Sequence, residues 1–136
     1  MIKGVIAGCF DLIHPGYIMM FAQAETQCDH LIVALQDDPT LDRPGKNKPV
    51  NTLSERFMIL DSIKYVDKIV VYNLEKELEN LFSVLSPDIR FLGHDYRDTP
   101  KNQITGYFKC KRLEFLPRSH GYSTTKLREK IVENHK

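Results

Sequence analysis

Short runs rich in β-branched and bulky apolar residues alternate along this chain with longer segments of helical period, the pattern of βα units wound around a parallel sheet. Residues 2–7 read as a buried strand, 17–27 as a helix and 31–35 as a second strand, which together make one βαβ unit. A capping-box spacing, Thr52-Leu53-Ser54-Glu55, opens the next helix, which runs through Phe57, Leu60 and Ile63. Arg56, near the start of that helix, is expected to face outward and to pair with Glu55 or Asp61. Further strands are expected over 68–72, 89–92 and 113–116, with helices over 74–85 and 123–133. Residues 96–103 read as loop and 104–109 as a short helix.

With 136 residues, 42% of them hydrophobic and 27% charged, the chain fits one domain over 1–136 around a single core. Its 19 lysines and arginines nearly balance 18 acids, so no sequence-wide field draws it to nucleic acid or to an anionic membrane, and any anion site must be local. It also lacks the aromatic stripe interleaved with basic residues that nucleic-acid binding calls for. The three cysteines, Cys9, Cys28 and Cys110, are odd in number, widely spaced and without a CxxC pair, which argues against a disulfide framework or a zinc site and for a reducing compartment. No signal-peptide pattern and no apolar run of roughly 18 residues is found. The expectation is a soluble cytoplasmic protein.

Three segments carry chemistry. The first is the loop Gly8-Cys9-Phe10-Asp11-Leu12-Ile13-His14-Pro15-Gly16, set where the first strand ends and a helix begins, the place where open α/β sheets bind phosphates on backbone amides. It is neither GxGxxG nor GxxxxGK[ST], so the dinucleotide and P-loop readings lose their support. The second segment is 36–49, which has no apolar period, contains Pro39, Pro44, Gly45 and Pro49, and carries Lys46 and Lys48. Its length makes it a candidate lid. The third is the start of the last helix, Ser123-Thr124-Thr125, where free amides and hydroxyls either bind phosphates or simply cap the helix.

The first loop, continued to Tyr17, resembles the G-x-F-D-x-x-H-x-G-H loop of the cytidylyltransferase family, especially the small glycerol-3-phosphate cytidylyltransferases. Arg118-Ser119-His120-Gly121-Tyr122-Ser123-Thr124-Thr125 is similar to that family's R-T-x-G-I-S-T-T signature, and Lys64-Tyr65-Val66-Asp67 resembles its R-Y-V-D-E segment. The resemblance implies an α/β, Rossmann-like, doubly wound sheet of five parallel strands in the order 3-2-1-4-5, and a homodimer. It implies transfer of CMP from CTP to a phosphorylated small alcohol, with pyrophosphate released and Mg²⁺ carried on the CTP phosphates rather than by a cluster of protein ligands. In that strand order the loops after the first and fourth strands face one crevice, so residues 8–14 and 93–95 share a site.

By the same resemblance His14 donates to the CTP phosphates, with Gly8, Cys9, Phe10, Gly16, Gly93, His94, Asp95, Gly121 and Tyr122 around the nucleotide. Phe10 otherwise reads as core. Arg118, with its planar fork of donors, suits a phosphate or nucleotide contact, and Ser123, Thr124 and Thr125 suit the β- and γ-phosphates. Lys46 and Lys48 match lysines that relatives carry on a mobile loop over the phosphates, against the plain alternative of a solvated basic loop. Asp11 is placed either with the acceptor, alongside Lys46 and Lys64, or as a hydrogen-bond partner that fixes its own loop.

Three departures qualify the resemblance. Tyr17 stands where the second histidine of the motif belongs, and its hydroxyl donates one hydrogen bond without positive charge. Either Tyr17 itself donates, or His94 or His120 supplies the missing imidazole, or the chain is a weakly catalytic CTP-binding relative. Lys64 replaces an arginine and so loses the bidentate fork. Finally, Ser86-Pro87-Asp88 followed by Gly93-His94-Asp95-Tyr96 is also similar to adenylyltransferases that act on sugar phosphates, with Arg97 or Lys101 available to a different acceptor.

Overall fold

The computed structural model describes residues 1–118 and 120–135; Ser119, inside the second signature, and Lys136 lie outside the described residues. Five strands form one parallel sheet: β1 (Lys3–Gly8), β2 (His30–Gln36), β3 (Lys68–Tyr72), β4 (Ile89–Gly93) and β5 (Arg112–Leu116). Their order is β3-β2-β1-β4-β5, the doubly wound arrangement expected. Four helices connect or follow them, α1 (Pro15–Glu25), α2 (Leu53–Asp61), α3 (Glu75–Leu85) and α4 (Thr124–Asn134).

Burial explains why the inner strands read as continuous apolar runs. Leu31, Ile32, Val33, Ala34 and Leu35 of β2 are all closed off from solvent because both faces of a parallel sheet are covered. Alternate residues serve different layers. Ile6, Leu31, Val33, Leu35 and Phe91 pack with Phe21 and Ala24 of α1 and Leu60 of α2. Val5, Ile32, Ala34 and Tyr72 pack on the opposite face with Leu78 and Phe82 of α3. Arg90 stands on this second face, one residue before Phe91, where the strand period calls for an apolar side chain.

The capping box forms as spelled: Thr52 Oγ1 accepts from the Glu55 amide at 3.2 Å and Glu55 Oε1 accepts from the Thr52 amide at 2.8 Å. Three expectations need correction. The segment after β2 carries a 3-10 turn, Pro39–Leu41, capped by the Asp38 carboxylate, and in place of the short helix over 104–109 there are separate 3-10 turns at Lys101–Gln103 and Tyr107–Lys109. Arg56 does not face outward. It is only 2% exposed and donates to four carbonyls, Asn51 O at 3.0 Å, Cys9 O at 3.0 Å, Gln36 O at 2.6 Å and Asp37 O at 2.8 Å. One guanidinium thus ties the loop after β1, the end of β2 and the entry to α2 together. Among the described residues, no helix is long and apolar enough to cross a membrane.

Candidate active site

The strand order reverses between β1 and β4, and a crevice of about 710 Å³ opens beside them. Its lining includes Gly8, Cys9, Phe10, Asp11 and Tyr17 from the first loop and helix, Lys46 from the long loop, Gly93 and Asp95 after β4, and Thr124 and Thr125 from α4. Two motifs at opposite ends of the chain therefore meet, as expected.

The first loop is held in a costly backbone shape. Phe10 and Leu12 both have φ of 50°, a left-handed conformation that costs a non-glycine residue about 1–3 kcal/mol. Anchors around the loop hold it there. The Asp11 carboxylate is 5% exposed and accepts from the amides of Val50 at 2.8 Å and Asn51 at 2.9 Å, and from Arg128 Nη2 at 2.9 Å. Its oxygens are thus committed to the stretch leading into α2 and to α4, a hydrogen-bonding role rather than an acceptor contact. Cys9 carries a half-buried thiol whose pKa is pushed up by burial, against the pull of Arg56.

His14 caps α1. Its Nδ1 accepts from the Gly16 amide at 3.1 Å, so in the neutral ring the proton sits on Nε2. Burial, with His120 and Arg118 close by, holds the imidazole below its ordinary pKa. His120 is arranged in the same way, its Nδ1 accepting from the Tyr122 amide at 3.1 Å. The two rings flank Gly16. A β-carbon on that residue would lie 2.6 Å from His120 Cε1 and 2.8 Å from His14 Cε1, too close for either ring. Gly16→Ala should therefore displace both rings, moving their Cε1–H resonances together and lowering turnover about tenfold to a hundredfold. Unmoved resonances would contradict this reading of the glycine.

Tyr17 lies against His14, ring centroids 4.4 Å apart, and its hydroxyl is 3.2 Å from Thr124 Oγ1. Since Thr124 Oγ1 gives its own proton to Asp11 O at 3.3 Å, Tyr17 is the donor of that pair and its single proton is already used. At the start of α4 the Ser123 hydroxyl accepts from the Lys126 amide at 3.0 Å, the capping alternative, and the Thr124 and Thr125 amides in the first turn have no intrahelical acceptor. Arg118 pairs with Asp95 at 3.2 Å and donates to Tyr122 O at 2.9 Å, which links the loop after β4 to the second signature. His14, Gly16, Arg118, His120 and Tyr122 form an aromatic and basic rim joined to the crevice through Tyr17 and Asp95. Gly121, beside Tyr122, is exposed.

Some expected residues are not brought in. Lys48 pairs with Asp38 at 3.9 Å while Lys46 lines the crevice. His94 is exposed in the 3-10 turn His94–Tyr96 and does not line the crevice. Lys64, expected at the acceptor, is corrected: it lies in the turn between α2 and β3, at the N-terminal edge of the sheet, with its ammonium 5.1 Å from the Tyr65 ring. The crevice opens at the opposite edge. Arg128, Arg43 and Arg90 line it and were not singled out from the sequence. Arg128 was findable, since it sits one helical turn after Thr124 on the same face.

The family model described as cytidylyltransferase-like matches residues 5–130. The bifunctional protein HldE of Gluconacetobacter diazotrophicus is 43% identical over 104 residues, covering 76% of this chain and 21% of that protein. The bifunctional protein HldE of Campylobacter jejuni strain RM1221 is 37% identical over 127 residues, covering 93% of this chain and 27% of that protein. The chain thus spans about a quarter of the length of these curated relatives. The lipopolysaccharide core biosynthesis protein from Thermoplasma volcanium GSS1 shares the fold with a TM-score of 0.62 at 21% identity, covering 99% of this chain and 89% of that one. Pantoate-beta-alanine ligase from Francisella tularensis, complexed with beta-gamma ATP and beta-alanine, does so with a TM-score of 0.59 at 18% identity, covering 97% and 70%.

Proposed function

The chain belongs to the cytidylyltransferase-like family of nucleotidyltransferases, and from that premise we propose that it transfers CMP from CTP to the phosphate of a small phosphorylated alcohol. The observation that carries this reading is the meeting of two helix N-termini, of α1 and α4, at the Tyr17–Thr124 contact, with His14 on one side and Arg128 on the other. The unpaired Thr124 and Thr125 amides of α4 and the dipoles of both helices favour anions.

In the reaction an acceptor phosphate oxygen attacks the α-phosphorus of the nucleotide. The new P–O bond forms as the bond from the α-phosphorus to the bridging oxygen breaks, and pyrophosphate leaves with that electron pair. The substrate supplies the nucleophile, so the protein positions two anions and stabilises charge on the leaving oxygens. His14 Nε2–H donates to those oxygens, while Thr124, Thr125, Lys46 and Arg128 hold the phosphate chain. Mg²⁺ would arrive on the triphosphate, neutralising its charge; among the described residues no three His, Cys, Asp or Glu converge to hold a metal of their own.

His120 takes the place of the second motif histidine. Its ring lies against Gly16 through Cε1 with Nδ1 taken by the Tyr122 amide, which leaves Nε2 to carry the proton, whereas the Tyr17 proton is committed to Thr124. His120→Ala is therefore expected to lower kcat about a hundredfold or more, and Tyr17→Phe by less than about tenfold. The reverse ranking would return the donor role to Tyr17.

A second reading, adenylyl transfer to a sugar phosphate, has its own support in Gly93-His94-Asp95-Tyr96 and in likeness to the HldE proteins. A pyrophosphate-release screen of CTP, ATP, UTP and GTP against phosphorylated polyols, amino alcohols and sugars separates the two. Preference for CTP supports the first reading, and preference for ATP replaces it with the second. Nucleotide binding without pyrophosphate release across the panel would leave a binding protein. A homodimer in the cytoplasm, without nucleic-acid or membrane partners, completes the proposal.

A further inference from the structure

Arg90 is 9% exposed on the apolar α3 face, yet it lines the crevice and, among the described residues, has no carboxylate within ion-pair distance. Its Nη1 donates to the Thr105 carbonyl at 2.7 Å, and its guanidinium carbon lies 5.3 Å from the Phe82 ring centroid. Its Nε is buried without a partner, and its Nη2 makes no hydrogen bond and is not enclosed. The nearby acids are engaged elsewhere: Glu75 accepts from Thr105 Oγ1 at 2.9 Å, and Glu79 accepts from the Gly106 amide at 2.9 Å and pairs with Lys109 at 3.8 Å. A buried charge left so is expensive unless something completes it.

The open donor defines what that is. Nη2–H is the donor that is not enclosed, a charge-assisted site for a carboxylate oxygen, while Nε–H on the same edge of the guanidinium is shut in. Arg90 stands in the lobe of the crevice bounded by Tyr72, Glu75, Ile104 and Thr105, on the α3 side of the sheet, whereas His14 belongs to the α1 side. Arg90 lines the crevice directly, and His14 adjoins it through Tyr17.

We propose that Arg90 binds a carboxylate on the acceptor, remote from the phosphate that attacks, so that the acceptor is a phosphorylated hydroxy acid or amino acid rather than a neutral polyol phosphate. The proposal rests on the nucleotidyl-transfer reading and names its acceptor class. Its test uses matched pairs that differ by a carboxylate: glycerol-3-phosphate against 3-phosphoglycerate, and phosphoethanolamine against phosphoserine. With the wild-type protein and whichever nucleotide releases pyrophosphate, at least one acid of a pair should show a KM about tenfold to a hundredfold below its partner, a preference that Arg90→Met abolishes while the nucleotide KM stays unchanged. Arg90→Lys should keep part of the preference. Arg90→Met should also unfold at a temperature no lower than wild type, because it exchanges an incompletely paired charge for an apolar side chain.

Failure of the broader reading is distinguishable. If no acceptor yields pyrophosphate, calorimetric titration of 3-phosphoglycerate and phosphoserine into wild type and Arg90→Met reads the same subsite directly, and binding lost in the variant sustains it. Equal affinity for both members of every pair, or an Arg90→Met variant that loses both members equally and melts earlier, would overturn the subsite and make Arg90 a structural strut for Thr105.

Discussion

Replacing His14 by alanine is expected to lower kcat about a hundredfold to a thousandfold while changing nucleotide KM much less. The expectation follows from where its one free proton lies. Nδ1 is occupied by the Gly16 amide, so Nε2 is left for the phosphates. Loss of one such preorganised donor typically removes about 2.7–4 kcal/mol of transition-state stabilisation. The depressed pKa bears on how the donor works. In the free protein, burial and the neighbouring His120 and Arg118 favour the neutral ring. Protonation would place a hydrogen on Nδ1, where the Gly16 N–H already donates, so His14 acts on the phosphates as a neutral Nε2–H donor. Steady-state kinetics of His14→Ala, with thermal unfolding to show that the fold is intact, checks the prediction. A change confined to KM would make His14 a ground-state binding group instead.

Replacing Arg56 by methionine is expected to destabilise the fold by about 3–5 kcal/mol, a fall of roughly 10–20 °C in Tm. Methionine fills much of the volume but leaves the carbonyls of Cys9, Gln36, Asp37 and Asn51 without their shared donor. Unsatisfied buried polar groups are what make such a substitution severe. The consequence reaches the site, because Cys9 begins the strained turn through Phe10 and Leu12 and Asn51 is one of the amides that hold Asp11. Arg56→Met should therefore lose activity even where it remains folded. Thermal unfolding measures the first effect; a Tm within about 2 °C of wild type would show that water or backbone rearrangement replaces the guanidinium.

Arg56 also shows what a linear reading misses. Its helix is short and weakly amphipathic, and a charged residue beside the capping Glu55 is ordinarily solvated. The groups that bury it are carbonyls at the ends of β1 and β2, brought together only when the sheet assembles. Lys64 failed for a related reason. A motif match gives its position in a segment, but the turn after α2 leads into the beginning of β3, and the crevice lies at the other edge. By contrast β3 was legible to its ends, residues 68–72, because a short β-branched run is bounded on both sides by polar residues. The capping box was legible because its hydrogen bonds are local, reaching three residues along the chain.

The candidate site divides the same way. Residues that share a loop or a helix start, such as Asp11, His14 and Thr124, could be read from spacing and resemblance. Which of two alternatives each would take could not, since Tyr17 meets Thr124 across 107 residues and Asp11 meets Arg128 across 117. Arg90 did leave a signal, a charge inside an apolar strand, whose meaning depends on Thr105 and Phe82 arriving from distant segments.

The most direct test follows the atoms. The protein is incubated with the nucleoside triphosphate selected by the screen and with an acceptor whose phosphate oxygens are labelled with ¹⁸O, and the products are examined by ³¹P NMR. Attack of the acceptor phosphate on the α-phosphorus predicts a nucleoside diphosphate adduct with ¹⁸O in the bridging position and one unlabelled pyrophosphate for each adduct formed. Release of orthophosphate in place of pyrophosphate, or bound nucleotide with no adduct, would contradict nucleotidyl transfer by this chain.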